Sequence, residues 1–342
     1  MVWDCLRTAN RKPSRKETLW LFVLTGGALI ARCIYLGQSS LEHLEASYLF
    51  EAIKPNGLWE VLTSRQAAEQ MHQPLYALVL RGWSSIGLDE AFLRFPSAIW
   101  SVACVPLAYA LLREERSPIE SMWAAILVAV SPLLFWYGRD CTPYALLALF
   151  SLAAMVSAQQ NLKTPKRWLS VRTGLCLALA FYTHFHGGWV AITVVAWLFV
   201  SKGGKRAALE TAAITGLATL PWIPAMLNKL ATSVQGLNED SAIMRYSHEP
   251  WEATSEAFRV LTGTPSLSWI LILLLVIAGT IHLIRVQTRI GTLIGLTILF
   301  GLLAEAHILW QLNVSKGILY VDVRHYLYWV PLFTAAIVAI PI

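Results

Sequence analysis

The chain has 342 residues, 56% hydrophobic and 14% charged, with a mean hydropathy of +0.54. Soluble domains carry about 25% charged residues, so this composition cannot cover a water-facing surface. It excludes a soluble enzyme, a disordered chain and, despite a formal net charge of +6, a nucleic-acid binder. What remains is a multi-pass, all-α membrane protein.

The basic tail Arg7–Lys16 precedes an apolar run, Leu19–Ile30. No small-x-small cleavage site follows, so we read an uncleaved first span over 18–36. Further spans of about 20 apolar residues are predicted at 93–112, 119–137, 143–160, 207–226, 267–284, 290–310 and 325–342. Two segments need a separate argument. Segment 74–88 is 15 residues long, about 22 Å as a helix, and contains Arg81. Segment 168–200 is about 50 Å as one helix, too long for one crossing.

Basic residues decide both cases. If 74–88 lies flat and 168–200 is a hairpin broken near His184–Gly188, one side collects the N-terminal tail, 113–118, 161–172, 201–206 and 285–289. Those stretches hold 16 of the 27 Lys and Arg. That is the positive-inside bias. It gives ten spans in one integral-membrane domain over 1–342, with a cytoplasmic N-terminus. Loops 37–92 and 227–266 face outward. Residues 45–53 and 58–70 mix apolar and charged residues at helical spacing and read as helices lying in the interface. The five Cys form no CxxC pair and read as free buried thiols.

Four stretches resemble one family: SLEHLEASY at 40–48, HQPLYALVLRGWSSIGLDEAFLRFPSAIWSVACVPLAYALLR at 72–113, SPLLFWYGRDCTPYALL at 131–147 and VRHYLYWVPL at 323–332. YTHFHGG at 182–188 adds to the likeness. In this order they are similar to the GT-C glycosyltransferases that take a sugar from a polyprenyl-phosphate carrier. The nearest likeness is to the protein O-mannosyltransferase and aminoarabinose-transferase group and its bacterial relatives. The resemblance implies a GT-C-like fold, with interfacial helices in a long outer loop after the first span. It also implies a multi-pass protein of the bacterial inner membrane with a polyprenyl-phosphate sugar as donor. The acceptor would be a hydroxyl on a lipid, glycan or protein, and membrane lipids would be its other partners. No cofactor is implied. One departure stands out. The family's first-loop D-E pair carries the acid expected to activate the acceptor, and its Asp position here is Leu44, with Glu45 next and Glu42 nearby.

Transfer from a lipid phosphate needs a carboxylate at the acceptor hydroxyl and donors for the departing phosphate. Glu45 is the first candidate base and Glu42 the second. Asp140 either orients the acceptor or pairs with Arg139. Thr142 and Pro143 read as N-cap and first residue of the next helix, whose positive dipole end suits phosphate. Arg324, beside His325 and Tyr326, fits a carrier phosphate through its planar fork, or anchors the interface. Arg94 opens a span on the same face. His72 and His184 fall at the outer boundary as phosphate ligands or hydrogen-bonded interfacial histidines. No metal motif is read. Glu305 inside a span lines a polar cavity or makes a buried hydrogen bond, and Asn313-Val314-Ser315 is a sequon in an outer loop. The competing reading is a transporter or flippase of a lipid-linked substrate. The clustering of charge at one face, and no visible repeat, favour an interfacial enzyme. A third reading, raised by Leu44, is a family-like scaffold that has lost its activity.

Overall fold

The computed structural model describes residues 12–54, 73–224, 268–286 and 288–300, together with 332, 336 and 337. Among the described residues there are only helices, turns and bends. In chain order the helices are α1 (Arg15–Cys33), α2 (His43–Ile53), α3 (Pro74–Ser84), α4 (Glu90–Arg113), α5 (Pro118–Ala129) and α6 (Pro132–Tyr137). They continue with α7 (Tyr144–Lys163), α8 (Arg167–Thr183), α9 (His186–Val200), α10 (Lys205–Thr219), α11 (Ser268–Arg285) and α12 (Arg289–Phe300). By length and composition, α4 and α7 are long and apolar enough to cross a membrane. The predicted interfacial segment 58–70, most of the last predicted span, His72, Glu305, Asn313, Arg324 and Tyr326 lie outside the described residues.

α7 is the axis of the bundle. It packs against α4, α8, α9 and α10, and every residue from Tyr144 to Leu162 except Phe150 is buried. Ala145, Ala148, Ala153, Ala154 and Ala158 supply small contact points, which let neighbouring backbones approach closely. Around this axis α4 pairs with α1 and α5, and α8 pairs with α9 and α10.

Local signals set the helix starts. Ser14 accepts from the Glu17 amide, Ser117 from that of Glu120, and Asp89 from those of Ala91 and Phe92. Two expectations need correction. The run 119–137 is not one helix: α5 ends at Ala129 and α6 restarts at Pro132. Pro132 has no amide to continue the ladder and disfavours helical backbone at Ser131. Ser131 instead caps α6 by accepting from the Leu134 amide at 3.4 Å. The orphan carbonyl of Ala129 is taken by Arg32, fully buried at the end of α1, whose Nη1 and Nη2 both donate to it at 3.2 Å. The second correction concerns the start of α7. Pro143, not Thr142, holds the cap position without a side-chain bond, and the buried Thr142 Oγ1 makes no hydrogen bond.

The hairpin expected in 168–200 is present, broken between Thr183 and His186. The helices cross closely there, because a Cβ on Gly187 would fall inside the backbone of Ala180 and Phe181. α3 is 11 residues long, about 16 Å, half of a crossing. It is fastened at both ends. Gln73 Oε1 accepts from Trp222 Nε1 at 2.6 Å. Trp83 stacks on Phe92 at 4.5 Å and donates to its carbonyl at 2.7 Å. Arg81, unexpected in an apolar segment, donates to the orphan Ala52 carbonyl in the last turn of α2 at 2.9 Å.

Much of the basic charge gathers at one end of the bundle. There Lys163 pairs with the fully buried Glu114 at 3.3 Å, and Arg172 donates to Ser157 and Gln160. At the same end Tyr109 donates to Glu17 at 2.8 Å, and Trp197 Nε1 donates to the Arg289 carbonyl at 2.8 Å. The other end carries the cleft described next.

The crossing of α8 and α9 makes a paired prediction. Gly187→Ala should lower stability by about 1–3 kcal/mol through overpacking, whereas Gly188→Ala, whose Cβ would meet only the Phe181 ring at 3.6 Å, should leave the thermal midpoint of the detergent-purified protein unchanged. Equal melting of the two variants would refute the close crossing.

Candidate active site

The cleft end is organised by one ion pair. Glu45, in the first turn of α2, and Arg94, in the first turns of α4, are 2% and 3% exposed. Arg94 Nε donates to Glu45 Oε1 at 2.8 Å and Nη2 to Oε2 at 2.7 Å, a two-pronged geometry that suits the planar guanidinium. The remaining donors are also committed. Nη1 reaches the carbonyls of Leu36 and Ser39, at 3.1 and 2.8 Å, and Nη2 that of Ser40 at 3.0 Å. All five N–H bonds of Arg94 are therefore used. Glu45 further accepts from the amides of Cys141 at 2.7 Å and Glu42 at 2.9 Å. One carboxylate thus joins α2, α4 and the turn before α7.

Burial alone would raise the Glu45 pKa. The Arg94 hydrogen bond and the two amides outweigh it and hold the carboxyl below its usual range. Below this anchor, Tyr76 donates its hydroxyl to Cys141 Sγ at 3.5 Å. Burial pushes the Cys141 thiol up to about 11, so it stays protonated and unreactive at neutral pH.

Beside the ion pair opens a cleft of about 270 Å³. Tyr35, Ser39, Glu42 and Glu45 contribute from the first loop and α2. Phe135, Trp136, Arg139 and Asp140 contribute from α6 and the turn after it, and Leu36 and Arg94 complete the lining. Glu42 is exposed and Asp140 half-buried. Three carboxylates and two guanidiniums therefore line one small space. Tyr35 stands out by its backbone: φ is +58°, a left-handed conformation that costs an L-residue roughly 1–2 kcal/mol. Its carbonyl accepts from Arg139 Nη2 at 3.2 Å, and the residue is 69% exposed. Trp136 is 62% exposed.

Of the residues expected at the site, Glu42, Glu45, Asp140 and Arg94 meet at this cleft. The free base expected in Glu45, and the free phosphate ligand expected in Arg94, are not what their geometry offers. Each spends its hydrogen-bonding capacity on the other and on backbone. His184 is elsewhere. It caps α8, lies 4.6 Å from the Phe185 ring and 5.5 Å from the Tyr144 ring, and it is not among the cleft residues. Leu44 packs against the apolar core. Tyr35, Trp136, Phe135 and the Arg32 that supports their wall were not read from the sequence. The signal available for Phe135 and Trp136 was the Ser131-Pro132 pair, which marks a helix restart inside an apolar run.

The ion pair predicts an acid-sensitive fold. Because the folded-state pKa of Glu45 is depressed, its stabilisation is complete above the unfolded carboxyl value of about 4.3. It is lost as pH falls through the folded value. The thermal midpoint should drop as pH falls from about 5 to 3. Glu45→Gln should flatten that part of the profile. Arg94→Ala, which strands a buried carboxylate, should cost about 3–5 kcal/mol. A midpoint in Arg94→Ala equal to that of the unaltered chain would show that the pair does not hold the loop.

Comparison with known proteins bears on this architecture. Residues 71–227 match the family model described as dolichyl-phosphate-mannose-protein mannosyltransferase. No curated protein is similar to the chain in sequence. ArnT from Cupriavidus metallidurans in the apo state superposes with a TM-score of 0.64 at 15% identity, over 94% of this chain and 59% of ArnT. The archaeal oligosaccharyltransferase AglB from Archaeoglobus fulgidus, in complex with an inhibitory peptide and a dolichol-phosphate, gives 0.58 at 11% identity, over 95% of this chain and 50% of AglB. The chain thus spans between half and three fifths of the length of these proteins. The likeness extends to the course of the backbone: the chain shares the fold of these two proteins.

Proposed function

We propose that the protein is a membrane glycosyltransferase that moves a sugar from a polyprenyl-phosphate carrier to a hydroxyl acceptor, with the cleft beside Glu45–Arg94 as its active site. The observation that carries this reading is the joint presence of Glu42, Asp140 and Arg139 in one cleft of a GT-C fold. Glu42, exposed on the cleft wall, takes the acceptor proton, and Asp140 orients that hydroxyl. The acceptor oxygen then attacks the anomeric carbon as the bond to phosphate breaks. The phosphate leaves as an anion and needs no general acid. Arg139, with Arg324 from the last apolar run and the N-terminal dipole of α7, balances its charge. Glu45 and Arg94 hold the two walls in register. The cleft end faces the periplasm, since much of the basic charge lies at the opposite end of the bundle and faces the cytoplasm; the ten-span topology, with α2 and α3 lying in the interface, belongs to the same proposal.

Leu44 favours a second reading: a related scaffold whose chemistry has lapsed. The two are separable with the purified protein in lipid nanodiscs, supplied with polyprenyl-phosphate sugars and assayed for release of the lipid phosphate by mass analysis. If active, Glu42→Gln and Asp140→Asn should each lower turnover about 10²- to 10⁴-fold without changing the thermal midpoint. Full activity in both would remove these roles. An inert protein that gains activity in Leu44→Asp would establish the second reading. The topology is checked independently by impermeant thiol labelling of single cysteines in a chain with its native cysteines replaced. Position 165 should react from the cytoplasmic side and position 245 from the periplasmic side. Labelling of 165 from the periplasm would reverse the orientation and place the cleft on the wrong face for a periplasmic acceptor.

A further inference from the structure

Tyr35 and Trp136 belong to none of the roles above. They line the same cleft from opposite elements, the turn after α1 and the short helix α6. Both residues are largely exposed, with Glu42 and Asp140 in the same space. An interfacial anchor needs only an exposed ring on an ordinary backbone. Tyr35 is different, because its residue sits in a left-handed conformation that Gly or Asn adopts at far lower cost. The carbonyl of that strained residue is gripped by Arg139. The strain therefore brings a tyrosine ring to this position and keeps it there.

We infer that Tyr35 and Trp136 form a platform for a pyranose ring, with Glu42 and Asp140 accepting hydrogen bonds from its hydroxyls. The chemistry of a pyranose matches this lining. Its edge is a ring of hydroxyl donors, which carboxylates accept. Its faces present C–H groups, which pack on aromatic rings whose other edge stays wet. A cleft that combined carboxylates with aliphatic walls would hold the hydroxyls and leave the faces unsupported. The inference rests on the cleft being the glycosyl-transfer site and names what it grips there. The sugar is either the one delivered by the carrier or the terminal residue of a glycan acceptor.

The test is saturation-transfer NMR on the full-length protein in nanodiscs, with methyl glycosides of mannose, glucose, galactose and 4-amino-4-deoxyarabinose as probes. Turnover of polyprenyl-phosphate sugars is measured on the same preparations. Irradiation of the aromatic protons should transfer signal to the ring C–H protons of at least one probe. Tyr35→Gly and Trp136→Ala should each cut that signal about five- to tenfold, and Tyr35→Phe and Trp136→Phe should keep it. Tyr35→Gly should melt no lower than the unaltered chain, because it relieves the left-handed strain. A merely structural tyrosine would not lose sugar contact while the fold holds or gains. A rise in KM for the lipid-linked donor alone assigns the platform to the delivered sugar; a rise for a glycan acceptor alone assigns it to the acceptor. Unchanged transfer in both variants, or none from any probe to the unaltered chain, overturns the inference. If turnover persists in that event, the active-site reading stands without the platform. If turnover is absent but the variants lose sugar contact, the platform stands and the catalytic reading falls.

Discussion

A guanidinium with five donors and a carboxylate with four acceptor contacts meet inside the bundle, and the geometry of the cleft follows from their meeting. The residues are 49 positions apart. Between them lie the rest of α2, residues 55–72 and the short helix α3. Neither charge can be buried alone, since an unpaired ion in a low-dielectric interior costs several kcal/mol. Once paired, they also satisfy three carbonyls of the first loop and the amide of Cys141. Arg94 thereby fixes the loop that carries Tyr35 and Ser39, and Glu45 fixes the turn that carries Asp140. Both walls of the cleft are positioned by the same two side chains.

This division of labour explains how the first loop accommodates Leu44. Glu45 points to Arg94, and the neighbouring position packs its apolar side chain against the core. The scaffold that holds the loop is therefore independent of whether position 44 carries an acid. Loss of a catalytic group from such a loop would leave the fold intact, because the structural carboxylate and the chemical one are different residues.

Part of the helix layout was readable in the sequence. Apolar runs and basic clusters located the hairpin at 168–200, and the starts of α1, α4 and α7 fell within three residues of the expected spans. Asp140 was readable through its place in a motif, and Glu45 and Arg94 as candidates. That Glu45 and Arg94 would neutralise each other was not readable. Pairing across 49 residues depends on how α2 is laid beside α4, and no local pattern encodes that. Tyr35 was invisible for a different reason. Left-handed backbone is signalled in sequence by Gly, Asn or Asp, and a tyrosine there violates the local rule in favour of the site. The break at Val130–Ser131 carried a sequence signal in Pro132, but hydropathy averages across it and sees one uninterrupted span.

That break has a mechanical consequence. A continuous membrane helix tilts when the bilayer thickens or thins, and a side chain near its end swings with it. Phe135 and Trp136 do not ride on such a lever. They sit on a helix of six residues beyond a proline, and the end of the preceding helix is clamped by Arg32 through the Ala129 carbonyl. A change of inclination in α5 would meet the non-helical pair Val130–Ser131 before the cleft wall. In a membrane this break would uncouple the wall from the tilt of α5, leaving its position to the hydrogen bonds of Arg32 and Ser131.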